Sequence, residues 1–248
     1  MAAELPDPVE EPPSPTTSSA AHPDEDPALA TPRASPPGEG DGLVVGELDA
    51  AARLRSGARA RARPSASVIV VRDGPTEVEV LLVKRNPAAR FMGGVWVFPG
   101  GAVDIGEGEG DAAHRAAAVR ELAEEAGIDG VDPAGLVKFS RWITPAELAV
   151  RFDTHFFIAP MPAGQEAEAD GEECVAEGWF AAQAALDAHA DGRILLVFPT
   201  IRQLEQLRGF RCVEALIEHA RARAVPTSRP RMVLSGDGPR VVMPDEAG

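Results

Sequence analysis

The residues best suited to chemistry are the carboxylates of Arg120-Glu121-Leu122-Ala123-Glu124-Glu125-Ala126-Gly127. On a helix, about 100° of turn per residue puts Glu121, Glu124 and Glu125 within roughly one third of the circumference. Like charges at i, i+3 and i+4 destabilise a helix by roughly 0.2–0.5 kcal/mol per pair. A hard divalent cation held by oxygen ligands offsets that repulsion, and Arg120 can hold one carboxylate in place. For the glutamates alone, a solvated acidic face is an equal alternative. Context separates the two. Upstream, Phe98-Pro99-Gly100-Gly101-Ala102-Val103-Asp104-Ile105-Gly106-Glu107 is a glycine-rich turn that ends in a further carboxylate.

Together these segments resemble the Nudix hydrolase box: a glycine, five residues, a glutamate, a spacer, then Arg-Glu-apolar-x-Glu-Glu-x-Gly-apolar. Gly101 through Glu107 matches the first half and Arg120 through Ile128 the second. One departure is plain. The usual spacer is seven residues, whereas Gly108 to Val119 is twelve, so five residues are inserted. Gly108-Glu109-Gly110 and Asp111 sit where loops tolerate extra length. The insertion leaves the helix ligands intact and puts the placement of Glu107 in question.

The resemblance implies an α+β fold, a mixed β-sheet sandwiched between α-helices, that binds Mg²⁺ or Mn²⁺. It implies Glu121, Glu124 and Glu125 as metal ligands, Glu107 as an outer or water-mediated ligand and Gly101 as a backbone-carbonyl ligand. The catalytic set is Glu124, Glu125 and Arg120. A metal neutralises a diphosphate while it positions and acidifies the attacking water. Clustered carboxylates raise one another's pKa, which suits Glu124 or Glu125 to accept the proton.

Just before the box stand Leu81-Leu82-Val83-Lys84-Arg85-Asn86, then Arg90, Gly94 and Phe98-Pro99-Gly100-Gly101. This spacing resembles the extra motif of coenzyme A-cleaving Nudix enzymes, although Val83 and Asn86 depart from its Thr and Ser. Arg85 and Arg90 are the expected substrate-binding residues, because guanidinium forks match phosphate oxygens. Many Nudix domains also carry an apolar strand followed by Arg here, which is the plainer reading. Trp142-Ile143-Thr144-Pro145, Arg151 to Phe157, Glu173 to Trp179 and Phe198-Pro199-Thr200 are similar to the acyl-coenzyme A diphosphatase group. The expected substrate is therefore coenzyme A or an acyl-coenzyme A. The alternatives are another nucleoside diphosphate derivative (ADP-ribose, a dinucleotide or a nucleotide sugar) and a non-catalytic Nudix-like ligand sensor. The complete set of box glutamates argues against the sensor.

The elements that must position these residues follow from pattern. Ser67–Val71 and Val78–Val83 are β-rich runs around Asp73-Gly74-Pro75, a hairpin signal. Val95–Phe98 is a short strand running into Pro99-Gly100-Gly101, a turn or backbone-approach signal. A helix is expected over Ala112–Ala126, stopped by Gly127. Strands are expected at Val137–Ile143, Phe152–Ile158 and Glu173–Phe180. Helices are expected near Ala181–His189, Ile201–Leu207 and Val213–Ala222, and a hairpin near Met232–Val242. The domain limits read as 1–47 disordered acidic Pro/Ala-rich tail, 48–64 basic linker or short helix, 65–225 Nudix hydrolase domain, and 226–248 C-terminal hairpin or extension.

The formal charge of −15 is unevenly spread. Residues 1–50 carry eleven acidic side chains and one Arg, leaving the rest of the chain at −5. Without a basic stripe interleaved with aromatics, nucleic-acid binding is not expected. No apolar run approaches the roughly 18 residues of a membrane span, and no secretory signal begins the chain. Cytoplasmic residence, no membrane partner, a small-molecule diphosphate substrate and compatibility with a homodimer complete the expectation. Cys174 and Cys212 read as reduced, buried thiols, and His114 and His155 as packed or exposed rather than catalytic. Trp96, Trp142 and Trp179 read as core. Glu172, Glu173 and Glu177 read as a solvated acidic loop, with Glu173 or Glu177 as a further carboxylate for the site in the alternative.

Overall fold

The computed structural model describes residues 60–235 and 238–244. The acidic tail and most of the basic linker therefore lie outside the described residues. Strand β1 (Arg63–Asp73) is the hub of the sheet. It is longer than the expected Ser67–Val71 and begins inside the stretch read as linker. It pairs antiparallel with β2 (Val78–Arg85), as the hairpin signal predicts, with Val71 opposite Val80. Beyond β2 lies the two-residue β3 (Trp96–Val97), shorter than the expected strand over Val95–Phe98.

Pro99-Gly100-Gly101 is more than a turn. Gly100–Ala102 forms β4, which pairs with the first half of β1. Long runs on β1 also pair in parallel with β6 (Phe152–Pro160), and β6 pairs antiparallel with β5 (Val137–Ile143). Strand β7 (Cys174–Ala181) lies antiparallel along β2. A short β8 (Thr227–Ser228), not foreseen from sequence, extends the far edge beside β5. Strands β9 (Arg231–Ser235) and β10 (Gly238–Val242) form the expected separate hairpin.

Both faces of the sheet are covered, which is why its central strands are almost uniformly apolar. Alternate residues enter opposite layers. Val68, Val70, Leu81 and Val83 face α1 (Gly110–Ala126) through Ala117, Ala118, Leu122 and Ala126. Ile69, Val71, Val80 and Leu82 face a larger core shared with α2 (Ala182–Ala190), α3 (Phe198–Leu207) and α4 (Val213–Ala222). Pro199 sits in the first turn of α3, where its missing N–H leaves no intrahelical bond unmade, so that helix starts before the expected Ile201. Among the described residues, no helix is long and apolar enough to cross a membrane.

Helix α1 begins at Gly110, two residues before its expected start. Only Gly108 and Glu109 of the inserted stretch stay outside helical structure; the rest lengthens α1. Asp111 in its first turn pairs with Arg115 at 2.8 Å and Lys138 at 2.5 Å, and an acidic side chain there favours the helix dipole. His114, one turn on, stacks on His155 of β6 with ring centroids 3.9 Å apart. Burial, and then the neighbouring His114, push the His155 imidazole down to about 4.

That shift has a definite sign. A histidine kept neutral by folding costs nothing above about pH 6.5; its penalty grows as the pH falls and is complete near pH 4. Replacing His155 with Phe is expected to flatten the loss of stability between those limits. Chemical denaturation of both proteins at stepped pH measures it; equal slopes would refute the assignment.

Candidate active site

The site forms where the last two turns of α1 meet β4. Small side chains at Ala117, Ala118 and Ala126 let the helix approach the sheet closely. Its end is set by Gly127, in the left-handed region at φ 64°, whose N–H bonds back to Ala123 O at 3.1 Å. Ser67 holds the incoming strand, donating its hydroxyl to Pro99 O at 2.9 Å.

Two glycines then admit the helix carboxylates. A Cβ on Gly101 would overlap the Glu121 carboxylate. A Cβ on Gly100 would overlap the β1 backbone at Ala66 and Ser67. Held in β4 against β1, Gly100 donates its N–H to Glu125 Oε2 at 2.8 Å. Glu125 is only 3% exposed. Burial pushes its carboxyl up to about 7, against the opposing pull of the Gly100 N–H and of Arg85. Glu121 is raised for the same leading reason, against Arg120.

Arg120 gathers the remaining oxygens. Its Nε donates to Glu107 at 2.9 Å, and Nη1 donates to Glu121 at 2.8 Å and to Glu124 at 2.7 Å. Its Nη2 donates to Ala102 O at 3.0 Å. Three carboxylates and a carbonyl thus converge on one cation. Glu107 reaches this point despite the insertion, because the extra residues lengthen the start of α1 rather than displace the 3-10 turn at Ile105–Glu107. That turn is tied by the Asp104 N–H to Glu107 Oε2 at 2.6 Å.

Gly101, Glu107, Arg120, Glu121, Glu124, Glu125 and Arg85 therefore lie together. Arg85 places Nη1 3.5 Å from Glu125, and its Nε is buried without a hydrogen-bond partner among the described residues. Arg90 is exposed on the loop after β2 and makes no ion pair among the described residues. Glu173 faces the site closely enough to raise both Glu121 and Glu125, although burial is the larger cause for each. Glu177 instead accepts the Ala169 N–H at 2.9 Å.

Cys174 is fully buried beside Glu125, its thiol pushed up by burial first and by that carboxylate next. Sequence reasoning placed Cys174 only as a buried thiol and missed its contact with Glu125 and the Ala102 carbonyl on Arg120. Neither has a sequence signal, since one depends on strand register and the other on backbone. Among the described residues, no three carboxylate, imidazole or thiol groups stand preassembled around a cation position. Arg120 occupies the centre of the cluster instead. The donors are all hard oxygens, the type that Mg²⁺ and Mn²⁺ take.

A family description, NUDIX domain, matches residues 61–197. The putative nudix hydrolase 7 of Caenorhabditis elegans is 27% identical over 179 residues, covering 58% of this chain. The chain spans about 60% of the length of that curated relative. A crystal structure of a NUDIX hydrolase from Alicyclobacillus acidocaldarius superposes with a TM-score of 0.58 at 27% identity, covering 65% of this chain and 97% of that one.

Close approach at Gly100 can be checked directly. Gly100→Ala, whose Cβ would meet the β1 backbone at Ala66 O and Ser67 Cα, is expected to cost about 1–3 kcal/mol by overpacking, or roughly 2–12 °C in melting temperature. Gly106→Ala, where an added Cβ meets nothing within 4 Å, should stay within about 0.5 kcal/mol. Thermal denaturation of the pair measures the contrast.

Proposed function

The chain belongs to the NUDIX domain family, and on that premise we propose that it is a metal-dependent hydrolase of a nucleoside diphosphate derivative. The observation that carries the proposal is the convergence of Glu107, Glu121, Glu124 and the Ala102 carbonyl on Arg120, beside the buried Glu125. An oxygen-only donor set gathered around a positive charge fits a hard divalent cation. Glu121, Glu124 and Glu125 would hold Mg²⁺ or Mn²⁺, with Glu107 and the Gly101 carbonyl completing the set. When bound, the metal neutralises diphosphate charge and acidifies the attacking water.

The protein's own groups do the rest. Arg85, partly exposed beside Glu125, offers guanidinium N–H donors to phosphate oxygens. Arg120 holds the carboxylates in register. Glu125, or the more exposed Glu124, takes the proton from water. The water oxygen bonds to phosphorus, the bridging P–O bond breaks, and two phosphate monoesters leave.

The finer proposal for the substrate is coenzyme A or an acyl-coenzyme A, cleaved to a phosphopantetheine product and adenosine 3′,5′-bisphosphate. It rests on the run from Leu81 through Arg85 and Arg90 to Gly101. A second reading, ADP-ribose or another nucleoside diphosphate derivative, is favoured by the two departures in that run. Val83 is fully buried in the core. Asn86 spends its amide on Glu172 O and its carbonyl on Ala88 N, so neither stands free as a hydroxyl would. Turnover of coenzyme A and ADP-ribose side by side with Mg²⁺ decides between them; intact coenzyme A with cleaved ADP-ribose would reject the first.

Two further outcomes are expected. The Glu124→Gln/Glu125→Gln double variant should lose at least roughly 100-fold in kcat while keeping its circular dichroism; undiminished turnover would remove the carboxylates from the mechanism. Glu125 is raised from 4.5 to about 7, so in metal-free protein its burial costs nothing at low pH and its full penalty above about pH 7. A divalent cation favours the ionised form. Mn²⁺ is therefore expected to raise the melting temperature more at pH 8 than at pH 5, as read by calorimetry.

A further inference from the structure

Beside the carboxylate cluster lies a cavity of about 350 Å³, lined by Arg85, Asn86, Ala88, Ala89, Glu172 and Glu173. Its walls are built rather than loosely apposed. Asn86 donates its backbone N–H to Glu173 O and its side-chain amide to Glu172 O, both at 2.8 Å. Asn86 Oδ1 accepts the Ala88 N–H at 2.9 Å, and Asn86 O accepts the Ala89 N–H at 2.9 Å. On the opposite wall, Asp170 accepts the N–H groups of Glu173 and Cys174 at 3.0 and 2.7 Å. The two walls are thus held at a set separation.

Charge is distributed unequally in this cavity. The guanidinium of Arg85 lies where the cavity meets Glu125. Glu172 and Glu173 are exposed at the other wall and find no salt-bridge partner among the described residues. Ala88 and Ala89 contribute only methyl groups. One cation next to the reaction centre suits a single phosphate. The remainder presents carboxylate acceptors and small apolar surface, which suits hydroxyl or amide donors and repels further anionic groups.

We propose that this cavity is the subsite for the group flanking the scissile diphosphate, and that it selects an uncharged hydroxyl- or amide-bearing group over a continuing polyphosphate chain. A ribose, a hexose or a pantetheine arm meets that description; the extra phosphates of a nucleoside triphosphate or a dinucleoside tetraphosphate do not. The inference rests on the reading of the chain as a diphosphate hydrolase, and it names which members of the substrate class the site takes. Glu172 and Glu173 act here by charge on specificity; any effect of Glu173 on the nearby Glu121 and Glu125 falls on every substrate alike, so the ratio between substrates is the readout.

The test compares kcat/KM for ADP-ribose and dephospho-coenzyme A with that for diadenosine tetraphosphate, using Mn²⁺ and the full chain. The wild type is expected to favour the uncharged-flank substrates by at least about tenfold, and Glu172→Gln/Glu173→Gln to narrow the ratio to about threefold or less by raising tetraphosphate cleavage. Preference of the wild type for the tetraphosphate, or an unchanged ratio in the variant, overturns the proposal. In parallel, calorimetric titration of ADP-ribose is made against the wild type and Ala88→Phe, which fills the cavity from an exposed position. Binding weakened at least about tenfold supports the subsite, and unchanged binding overturns it. If neither these three compounds nor coenzyme A and acetyl-coenzyme A are cleaved, the hydrolase reading fails, while the titration still decides whether the cavity is a subsite.

Discussion

Glycine backbone lies so close to β1 at Gly100, and to the Glu121 carboxylate at Gly101, that an added Cβ at either would force a shift. Around that contact the rest of the site is arranged. Gly100 reaches β1 because it lacks a Cβ, which lets Pro99 to Ala102 enter the sheet as a strand. In that strand its N–H donates to Glu125, and Gly101 leaves room for Glu121. Both carboxyls are consequently drawn out of water, and burial is the leading reason that each is raised. A site that desolvates its acids in this way resists carrying full negative charge unless a cation enters.

Arg120 is the structure's own answer to that resistance. Three carboxylates crowded on the helix and turn would repel one another, and the arginine donates to Glu107, Glu121 and Glu124 together. Charge-assisted bonds of this kind are about twice as strong as neutral ones. They hold the acids in register and also keep them from forming a vacant cage among themselves. In the proposed mechanism, metal and arginine share the same oxygens, so the arginine positions while the cation supplies the chemistry. The sheet sets the other side. Register along β2 and β7 places Arg85 opposite Cys174, and that pairing brings Glu173 towards the helix acids.

Much of this was legible in the residues. The period-two and near-continuous apolar runs marked β1, β2, β5 and β6, because strands buried on both faces have few other compositions open to them. Val137–Ile143 and Val213–Ala222 fall where the pattern put them. The boundaries that moved did so for tertiary reasons. β1 extends to Arg63 because β6 and β4 pair with its first half. α1 starts at Gly110 because Lys138 and Arg115 stabilise Asp111 in its first turn. β8 is too short to leave a periodic trace and exists only because β5 offers an edge.

For the site, the sequence by itself determined the chemistry available: carboxylates at helical spacing, an arginine beside them, and glycines ahead of them. Covalent order and the 3.6-residue helical period suffice for that much. Only the tertiary structure decided which of those groups meet. It brought Glu107 to Arg120 across the enlarged spacer, buried Glu125 while leaving Glu124 largely exposed, and turned Glu173 rather than Glu177 towards the acids. Those choices depend on strand register, on the closeness of helix to sheet and on desolvation. Each is a property of distant segments packed together, and none is carried by a local run of residues.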